Sequence, residues 1–322
     1  IDWKKNNNAA YEISQVNFNT SASDYAPVPI GPGTLLFTSD RDSKETTESY
    51  LWTGRSFSDL YVFKNATQEV TPFDEVINSP DNEGTAILSP DGQMLVFTRC
   101  YSGQAYDAWC KLMYSYKRGN VWQEPEPFPF IRDEVNYGHP AFAANGTTLF
   151  FSSDAPEGQG GHDIYFTQMD GEGKWADPIN LGTFINTIGQ EQYPTVYKDT
   201  LFYSSDRLAG LGGLDIFKTY LNAEGQWVPP INLRSPLNSG ADDFGLIVDT
   251  FAASEENVLM QGFFTSSRGG AARNDDIFAF TLKGIQPGTD IVVVPNNEVP
   301  KEKPVDYQIF VSIRVVEPQF EV

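Results

Sequence analysis

The sequence is poor in the residues that most often carry catalysis and bind metals. Its 322 residues include only two histidines, His139 and His162, and only two cysteines. Two cysteines without a neighbouring histidine do not make a zinc site. The Gly-x-Ser-x-Gly motif that marks the nucleophile of α/β-hydrolases does not occur. We therefore expect no catalytic residue, no metal centre and no cofactor; calcium held by acidic side chains is the one open alternative.

Positive charge is also scarce. Lysine and arginine number 22 against 43 aspartates and glutamates, which gives a net charge of −21. Phosphate groups are bound by basic surfaces, so this balance argues against nucleic acid as a partner and against anionic lipid head groups. No apolar run approaches the ~20 residues that cross a bilayer, and we expect no direct membrane span.

The two cysteines lie close together in the sequence. Cys100 and Cys110 are ten residues apart, with Gly103 between them. This spacing predicts a disulfide across a hairpin, formed in an oxidising compartment. The alternative is a pair of small buried thiols.

Turn residues and aromatic residues are plentiful. There are 27 glycines, 21 prolines, 23 phenylalanines and 15 tyrosines. Disordered acidic chains have few aromatic residues, and long helices do not tolerate this much glycine and proline. The composition indicates a folded, turn-rich, all-β protein.

An internal repeat organises the chain. Five apolar strands end in an aromatic residue followed by small hydroxyl residues, with the aromatic residue at positions 37, 97, 151, 203 and 264. A second marker, Asp-Ile-Tyr or a close variant, follows each strand except the second, which has Lys111 there. A catalytic residue is needed only once, so we interpret the repeated aspartates as structural turn residues: Asp40, Asp154, Asp163, Asp206, Asp215 and Asp276.

Each unit contains about four short apolar runs, which matches one blade of a β-propeller. The last unit lacks its outer strand, and residues 11–19 look like a separate copy of that strand. The sequence therefore predicts a five-bladed β-propeller over residues 1–283, closed by an N-terminal strand at 11–19; a sixth blade is the alternative. The predicted blades span about 24–80, 81–135, 136–189, 190–240 and 241–283.

The C-terminal residues break the repeat. Residues 284–305 have the proline content of a linker, and 306–322 have the alternating pattern of a strand. The strand either opens a further domain, adds to a partner's sheet edge or packs on the propeller itself. Its apolar positions are Tyr307, Ile309, Val311, Ile313 and Val315.

Several motifs resemble a known family. Ser-Ser-Asp-Arg at 204–207, Gly-Gly-x-Asp-Ile-Phe at 212–217 and Ser-Pro-Asp-Gly at 89–92 resemble the WD-like repeats of TolB-type propellers. The second motif is most similar to Bacteroidetes envelope proteins of PorE-like, OmpA-family architecture, which are associated with type IX secretion. The resemblance covers residues ~11–282. It implies a periplasmic or outer-membrane-associated protein with envelope proteins as partners, and peptidoglycan binding only through a domain that this sequence does not contain.

The start of each unit carries the candidate binding residues. This segment is predicted to be the innermost strand of each blade, and its start is acidic or aromatic in every copy. Carboxylates and rings would then converge at one mouth of the channel, where they would bind a peptide, a sugar or a cation; a solvated acidic rim is the alternative. The candidates are Asp24, Tyr25, Glu83, Tyr137, His139, Glu191, Tyr193, Asp243 and Phe244.

Together these features favour a non-catalytic, protein-binding scaffold of the bacterial envelope, a subunit of a secretion or outer-membrane complex. One alternative is a glycosidase or lyase that uses channel carboxylates. Another is a sugar-binding lectin, with Trp122, Trp175 and Trp227 as its repeated aromatic candidates. An enzyme would have one repeat that departs from the others and an acid of raised pKa beside a second carboxylate.

Overall fold

The computed structural model describes residues 11–41, 56–101, 109–269 and 274–284. Within these residues the strands are joined by turns and loops, and helix is limited to one 3₁₀ turn at Ser267–Gly269. The strands form five separate antiparallel sheets. The protein is an all-β, five-bladed propeller, as the sequence predicts.

The first four blades follow one another along the chain. Blade 1 consists of β2 (Asp24–Gly31), β3 (Thr34–Ser39), β4 (Asp59–Lys64) and β5 (Glu69–Pro72). Blade 2 consists of β6 (Asn82–Leu88), β7 (Met94–Cys100), β8 (Cys110–Arg118), β9 (Val121–Trp122) and β10 (Glu126–Pro127), and both of its short outer strands pair with β8. Blade 3 consists of β11 (Tyr137–Phe142), β12 (Thr148–Ser153), β13 (Asp163–Gln168) and β14 (Ile179–Asn180). Blade 4 consists of β15 (Glu191–Tyr197), β16 (Thr200–Ser205), β17 (Asp215–Tyr220) and β18 (Ile231–Asn232).

Blade 5 joins the two ends of the described chain. Its strands are β19 (Asp243–Val248), β20 (Val258–Ser266), β21 (Asp276–Lys283) and, outermost, β1 (Tyr11–Gln15). β1 runs antiparallel to β21, with Tyr11 opposite Leu282 and Gln15 opposite Phe278. The predicted closure of the last blade by an N-terminal strand is therefore confirmed, and it removes a free edge from the sheet.

The first strand of each blade is the innermost. These strands contact one another in a closed ring, β2 with β6, β6 with β11, β11 with β15, β15 with β19 and β19 with β2. Every one carries a β-bulge. The residue two positions after Asp24, and after its equivalents Glu83, Tyr137, Glu191 and Asp243, has a left-handed φ between 45° and 62°. These five residues are Ala26, Thr85, His139, Tyr193 and Gly245.

The core lies between neighbouring sheets. The aromatic residue near the end of each second strand is almost completely buried, and it is the residue that marks the repeat in the sequence. A propeller blade is apolar on both faces, because each sheet packs against a neighbour on either side. The five aromatic residues are Phe37, Phe97, Phe151, Tyr203 and Phe264.

Cys100 and Cys110 form a disulfide, with the two sulfur atoms 2.02 Å apart. They are directly opposite each other on β7 and β8. Cys100 stands where blades 1, 3 and 4 have the structural aspartates Asp40, Asp154 and Asp206, so blade 2 has a covalent link at a position where the other blades use a hydrogen bond.

The predicted linker beyond Gly284 and the predicted strand with Tyr307, Ile309, Val311, Ile313 and Val315 lie outside the described residues. Among the residues that are described, none belongs to a helix with the length and apolar character needed to cross a membrane.

Candidate functional site

Four of the candidate channel acids lie between blades and not at an open rim. Asp24, Glu83, Glu191 and Asp243 are fully buried at the start of their inner strands. Each accepts hydrogen bonds from the backbone N–H and the hydroxyl of a Ser or Thr four residues earlier. In blades 1, 4 and 5 the acid also accepts a bond from the serine that ends the second strand, at 2.5–2.7 Å. We call this arrangement the junction clamp.

Arginine completes the junction clamp in three blades. Arg41 and Arg268, two residues after the clamp serine, are ion-paired with Asp24 and Asp243 at 2.6 and 2.5 Å. In blade 2, Arg99 replaces the serine itself and pairs with Glu83 at 2.6 Å. Buried carboxylates are tolerated when they are paired and hydrogen-bonded in this way. These acids therefore hold neighbouring parts of the ring together.

The pKa values of the clamp acids reflect this burial. Burial raises the pKa of Glu83 and of Asp243, and the guanidinium groups of Arg99 and Arg268 oppose the shift. Burial also raises the pKa of Glu191, and only hydrogen bonds from Ser205 and Thr187 oppose this rise. Arg207, which stands where Arg41 and Arg268 do in their blades, is exposed. The junction clamp of blade 4 therefore contains no cation.

The repeated aspartates bond to backbone amides at turns. The carboxylates of Asp40, Asp154 and Asp206 accept bonds from the N–H groups of Ser23, Asn136 and Gln190 at 2.6–2.9 Å. These three partners each directly precede an inner strand. The aspartates therefore fasten the end of a second strand to the start of the first strand of the same blade.

The aspartates that open the third strands have equivalent roles. Asp163 accepts bonds from the Gln159 N–H and from the side chain of Asn180. Asp215 accepts bonds from the Leu211 N–H and from the side chain of Asn232. A side-chain hydrogen bond from Gln15 of β1 lowers the pKa of Asp276, although burial raises it overall.

The channel candidates with rings do come together. The His139 and Tyr193 rings are 3.9 Å apart, and the Tyr193 and Phe244 rings are 4.5 Å apart, measured between centroids. The Tyr25 hydroxyl lies against Gly84, 3.4 Å from where a Cβ on that residue would be. Large rings on one side of the channel thus face the small residues Ala26 and Gly84 on the other, and the side chains of Tyr25, His139 and Tyr193 remain partly exposed.

Three titratable rings of the channel, those of Tyr25, His139 and Tyr193, are uncharged near neutral pH. Burial lowers the pKa of His139 to about 3, helped by the nearby His162. Its Nδ1 is 2.6 Å from the Ser152 hydroxyl. Burial raises the pKa of Tyr25 to about 12 and the pKa of Tyr193 further still. An uncharged histidine against an uncharged tyrosine is suited to packing, and neither group carries a charge near neutral pH.

Tyr137 lies away from the channel, in a pocket of blade 3 of about 210 Å³. Its hydroxyl accepts a bond from Arg132 Nε at 3.3 Å, and Arg132 pairs with Glu157 at 2.7 Å. Phe130 stacks on Phe151 with ring centroids 5.4 Å apart. The remaining lining residues are Ser153, Ala155, Tyr165, Asp177 and Pro178.

The pocket forms where the repeat is broken. Five residues before the clamp acid, the other blade junctions have Asn19, Asn78, Asn186 or Asn238, each accepting a bond from the third strand of the preceding blade. Blade 3 has Arg132 there, Tyr137 in place of the acid, and Ala155 in place of the clamp arginine. All three exchanges fall at the same junction, so the clamp is absent and a cavity remains.

No motif in the sequence marks this pocket. Phe130, Arg132, Glu157, Tyr165 and Asp177 carry no motif of their own. The sequence indicates the pocket only through a missing residue: Ala155 stands where the Ser-Asp-Arg motif has its arginine. Among the described residues, no group of three or more His, Cys, Asp and Glu side chains is arranged to hold a metal ion.

Comparison with known proteins gives only structural matches. No protein-family model matches the sequence, and no curated protein matches it. The α-L-arabinofuranosidase from Lactobacillus brevis is 12% identical with a TM-score of 0.53, over 81% of this chain and 90% of that one. The exo-β-1,3-galactanase 1,3Gal43A from Clostridium thermocellum is 12% identical with a TM-score of 0.51, over 83% of this chain.

TolB from Acinetobacter baumannii is also similar, at 14% identity with a TM-score of 0.43 over 82% of this chain. This chain spans 62% of the length of the galactanase and 55% of that of TolB. At such low identity a structural match reports the fold and nothing about activity. What the chain shares with the first two proteins is the architecture of a five-bladed β-propeller.

Proposed function

We propose that this protein is a non-catalytic, protein-binding scaffold of the bacterial envelope, a subunit of a PorE-like secretion or outer-membrane complex. The observation that carries the proposal is the use of the channel acids. Asp24, Glu83, Glu191 and Asp243 are fully buried in junction clamps, where a substrate in the channel does not reach them. A rigid ring of blades that presents loops on two broad faces suits binding.

The envelope setting rests on the resemblance of the repeat motifs to TolB-type and PorE-like propellers. The charge of −21 agrees with a protein partner that has a basic surface, because complementary charge speeds encounter and helps to select a partner. The disulfide between Cys100 and Cys110 is compatible with an oxidising compartment such as the periplasm.

A glycan-active enzyme is the second candidate, and one observation favours it. Glu191 is the one clamp acid without an arginine, its pKa is raised by burial, and Asp163 adds to the rise. An acid of raised pKa near a second carboxylate is what glycosidases use. Against this, both side chains are at most 1% exposed, so a glycan would need the blades to separate before it could reach them.

The test is affinity purification of the tagged protein from the native host without crosslinking, with identification of co-purified envelope proteins by mass spectrometry. We expect a stoichiometric partner that remains bound at about 0.15 M salt, where weak surface attraction is screened. The same purified protein is then incubated with a panel of envelope and plant glycans. A solitary protein that releases sugars, and loses this activity on Glu191→Gln, would overturn the scaffold in favour of the enzyme.

A further inference from the structure

Two clamp arginines occupy the same slot in their blades. The Nε groups of Arg41 and Arg268 donate to the Oγ atoms of Ser39 and Ser266 at 2.9 and 2.8 Å. Each guanidinium lies over two rings of its own blade: Arg41 is 5.0 and 5.2 Å from Phe37 and Tyr61, and Arg268 is 5.1 and 5.4 Å from Phe264 and Phe278. The chain thus shows twice how this slot binds a guanidinium group.

Blade 3 has the same slot without its arginine. Ser153, Phe151 and Tyr165 stand in the positions of Ser39, Phe37 and Tyr61, with the two rings stacked at 6.0 Å. The N–H of Ala155 donates to Ser153 Oγ at 3.3 Å, as the N–H of Arg41 donates to Ser39 Oγ at 3.2 Å. The backbone therefore makes the same turn, and the side chain that would fill the slot ends at the Cβ of Ala155.

The resulting pocket is open to an outside group. Its volume of about 210 Å³ is below the range of drug-sized sites, so it accommodates one side chain or one small ring. Tyr165 is only 4% exposed and lines the pocket. Its hydroxyl has no hydrogen bond of normal geometry, although the side chain of Asn180 lies close enough to oppose the rise that burial causes in the Tyr165 pKa.

We propose that the blade 3 pocket binds an arginine side chain of a partner protein, in the place that the chain's own arginines fill in blades 1 and 5. This deepens the proposed function, on which it rests, by naming the chemistry that the scaffold recognises. Phe130 already stacks on Phe151, so the guanidinium enters beside Phe130 and lies over Tyr165, and one of its N–H groups donates to Ser153 Oγ. Arginine is preferred to lysine because its planar, weakly hydrated head stacks on rings.

The countercharge comes from the pocket mouth. Tyr137 replaces the buried acid of the other clamps, and the buried Asp163 is a carboxylate within blade 3 that acts on Tyr165. Glu157 and Asp177 line the mouth, and the half-exposed Arg132 offsets only one of them. An incoming cation therefore offsets part of the negative charge of the site. Attraction between the basic partner and a protein of net charge −21 acts in the same direction.

The first experiment uses the full chain and N-acetyl-L-arginine methylamide, with binding followed by NMR titration. The matched control ligand is the citrulline analogue, which has the same shape without the charge. We expect the arginine compound to bind at least tenfold more tightly. Equal binding of the two, or tighter binding of a methyl glycoside at the same residues, would overturn the proposal; the second result would indicate a sugar site.

The decisive variant is Ala155→Arg, which restores the arginine of the repeat and fills the slot from within. It is expected to lower the affinity for the arginine compound at least tenfold while the thermal midpoint does not fall. If this variant does not fold, Asp177→Asn at the exposed rim replaces it, with Asp199→Asn as the control. Asp199 is exposed in the β15–β16 turn, at the opposite end of its blade from the clamp. Asp177→Asn is expected to weaken binding several-fold and Asp199→Asn less than twofold; equal effects would overturn the proposal.

Failure of this inference is distinguishable from failure of the proposed function. If wild type and Ala155→Arg capture the envelope partner equally well, the scaffold stands and the pocket is not its arginine contact. If the wild type binds the arginine compound but captures no envelope protein, the pocket binds guanidinium and the scaffold function is wrong.

Discussion

The residue two positions after the clamp serine makes different contacts in different blades, because the residue at the clamp-acid position and its partners differ. Arg41 and Arg268 reach down to a buried aspartate. Arg207 is exposed above Glu191, whose carboxylate is held by hydroxyl and amide groups alone. Ala155 lies beside Tyr137, which needs no countercharge. The value of an arginine here is therefore set by its neighbours and not by the motif.

The arginine clamp makes a prediction for stability. Arg268→Ala leaves Asp243 buried without its ion-pair partner, and we expect a loss of about 3–5 kcal/mol in the free energy of unfolding. Arg207→Ala is the matched control at the equivalent position of blade 4, and no measurable change is expected. Urea unfolding of both variants checks this. Similar losses for the two would show that the buried ion pair does not stabilise the ring.

His139 makes a prediction for pH dependence. Its pKa is about 3 in the folded protein against about 6.5 when unfolded. A depressed histidine pKa contributes stability that is fully present above pH ~6.5 and is lost as the pH falls towards ~3. His139→Asn, in which asparagine accepts the left-handed φ of 55°, removes this dependence. As the pH falls from about 6.5 to about 4, the thermal stability of the variant relative to wild type should therefore rise. A difference that stays constant over this range would contradict the prediction.

Asp59 makes a prediction for pH dependence that is opposite in sign to that of His139. Burial, with a smaller effect of Glu83, raises its pKa to about 6. A raised carboxyl pKa contributes stability that is present below pH ~4 and is lost as the pH rises towards 6. Asp59→Asn should therefore gain stability relative to wild type as the pH rises from about 4 to about 6, and the gain should then level off. Urea midpoints measured across this range check the sign; a difference that shrinks with rising pH would contradict it.

At the scale of elements, the ring depends on one short strand that is far in sequence from its partner. β1 covers β21, and its Tyr11 is buried against Phe280, with ring centroids 6.1 Å apart. The N–H of Val16 and the side chain of Asn19 both bond to the Ile277 carbonyl. Without β1, the edge of β21 is left unpaired and open to pairing with another chain.

Deletion of residues 1–15 tests this closure. The loss of a buried tyrosine and a half-buried isoleucine predicts destabilisation of about 2–4 kcal/mol, together with self-association through the exposed edge of β21. Deletion of residues 1–10 retains β1 and is the control. Chemical denaturation and size-exclusion chromatography give the two measurements. A monomer of unchanged stability after the longer deletion would show that the closing strand is dispensable.

The architecture of these elements follows from the sequence, whereas the directions in which the side chains of the inner strands point do not. Apolar runs, turn residues and the five aromatic residues are local signals, so the five blades and the closing strand are predictable. The bulge at Ala26, Thr85, His139, Tyr193 and Gly245 breaks the simple alternation of the strand. It directs Asp24 and its equivalents into the blade junctions, while the rings of Tyr193 and Phe244 pack against each other in the channel. The blade 3 pocket is harder to predict, because an alanine draws attention only when all five copies are aligned in space.

At the scale of the whole molecule, charge is the dominant feature. A net charge of −21 destabilises a compact state through self-repulsion. Raising sodium chloride from about 0.02 M to about 0.3 M shortens the screening length, and we expect the thermal midpoint to rise by a few degrees. Sucrose at matched osmolality is the control for general solvent effects. A midpoint that falls with salt would show that the attractive ion pairs of the clamps outweigh the overall repulsion.

The pairing of β1 with β21 also sets an order of events for a newly made chain. β1 is synthesised before every other described strand, and its partner is synthesised after all of them. The strands of blades 1 to 4 can pair with neighbours in the sequence as they emerge, but blade 5 stays incomplete until the ribosome has passed residue 283. Until then β1 is an unpaired strand on a growing chain, the kind of segment that chaperones protect. The native ring is thus available only to a chain whose translation has passed its last blade.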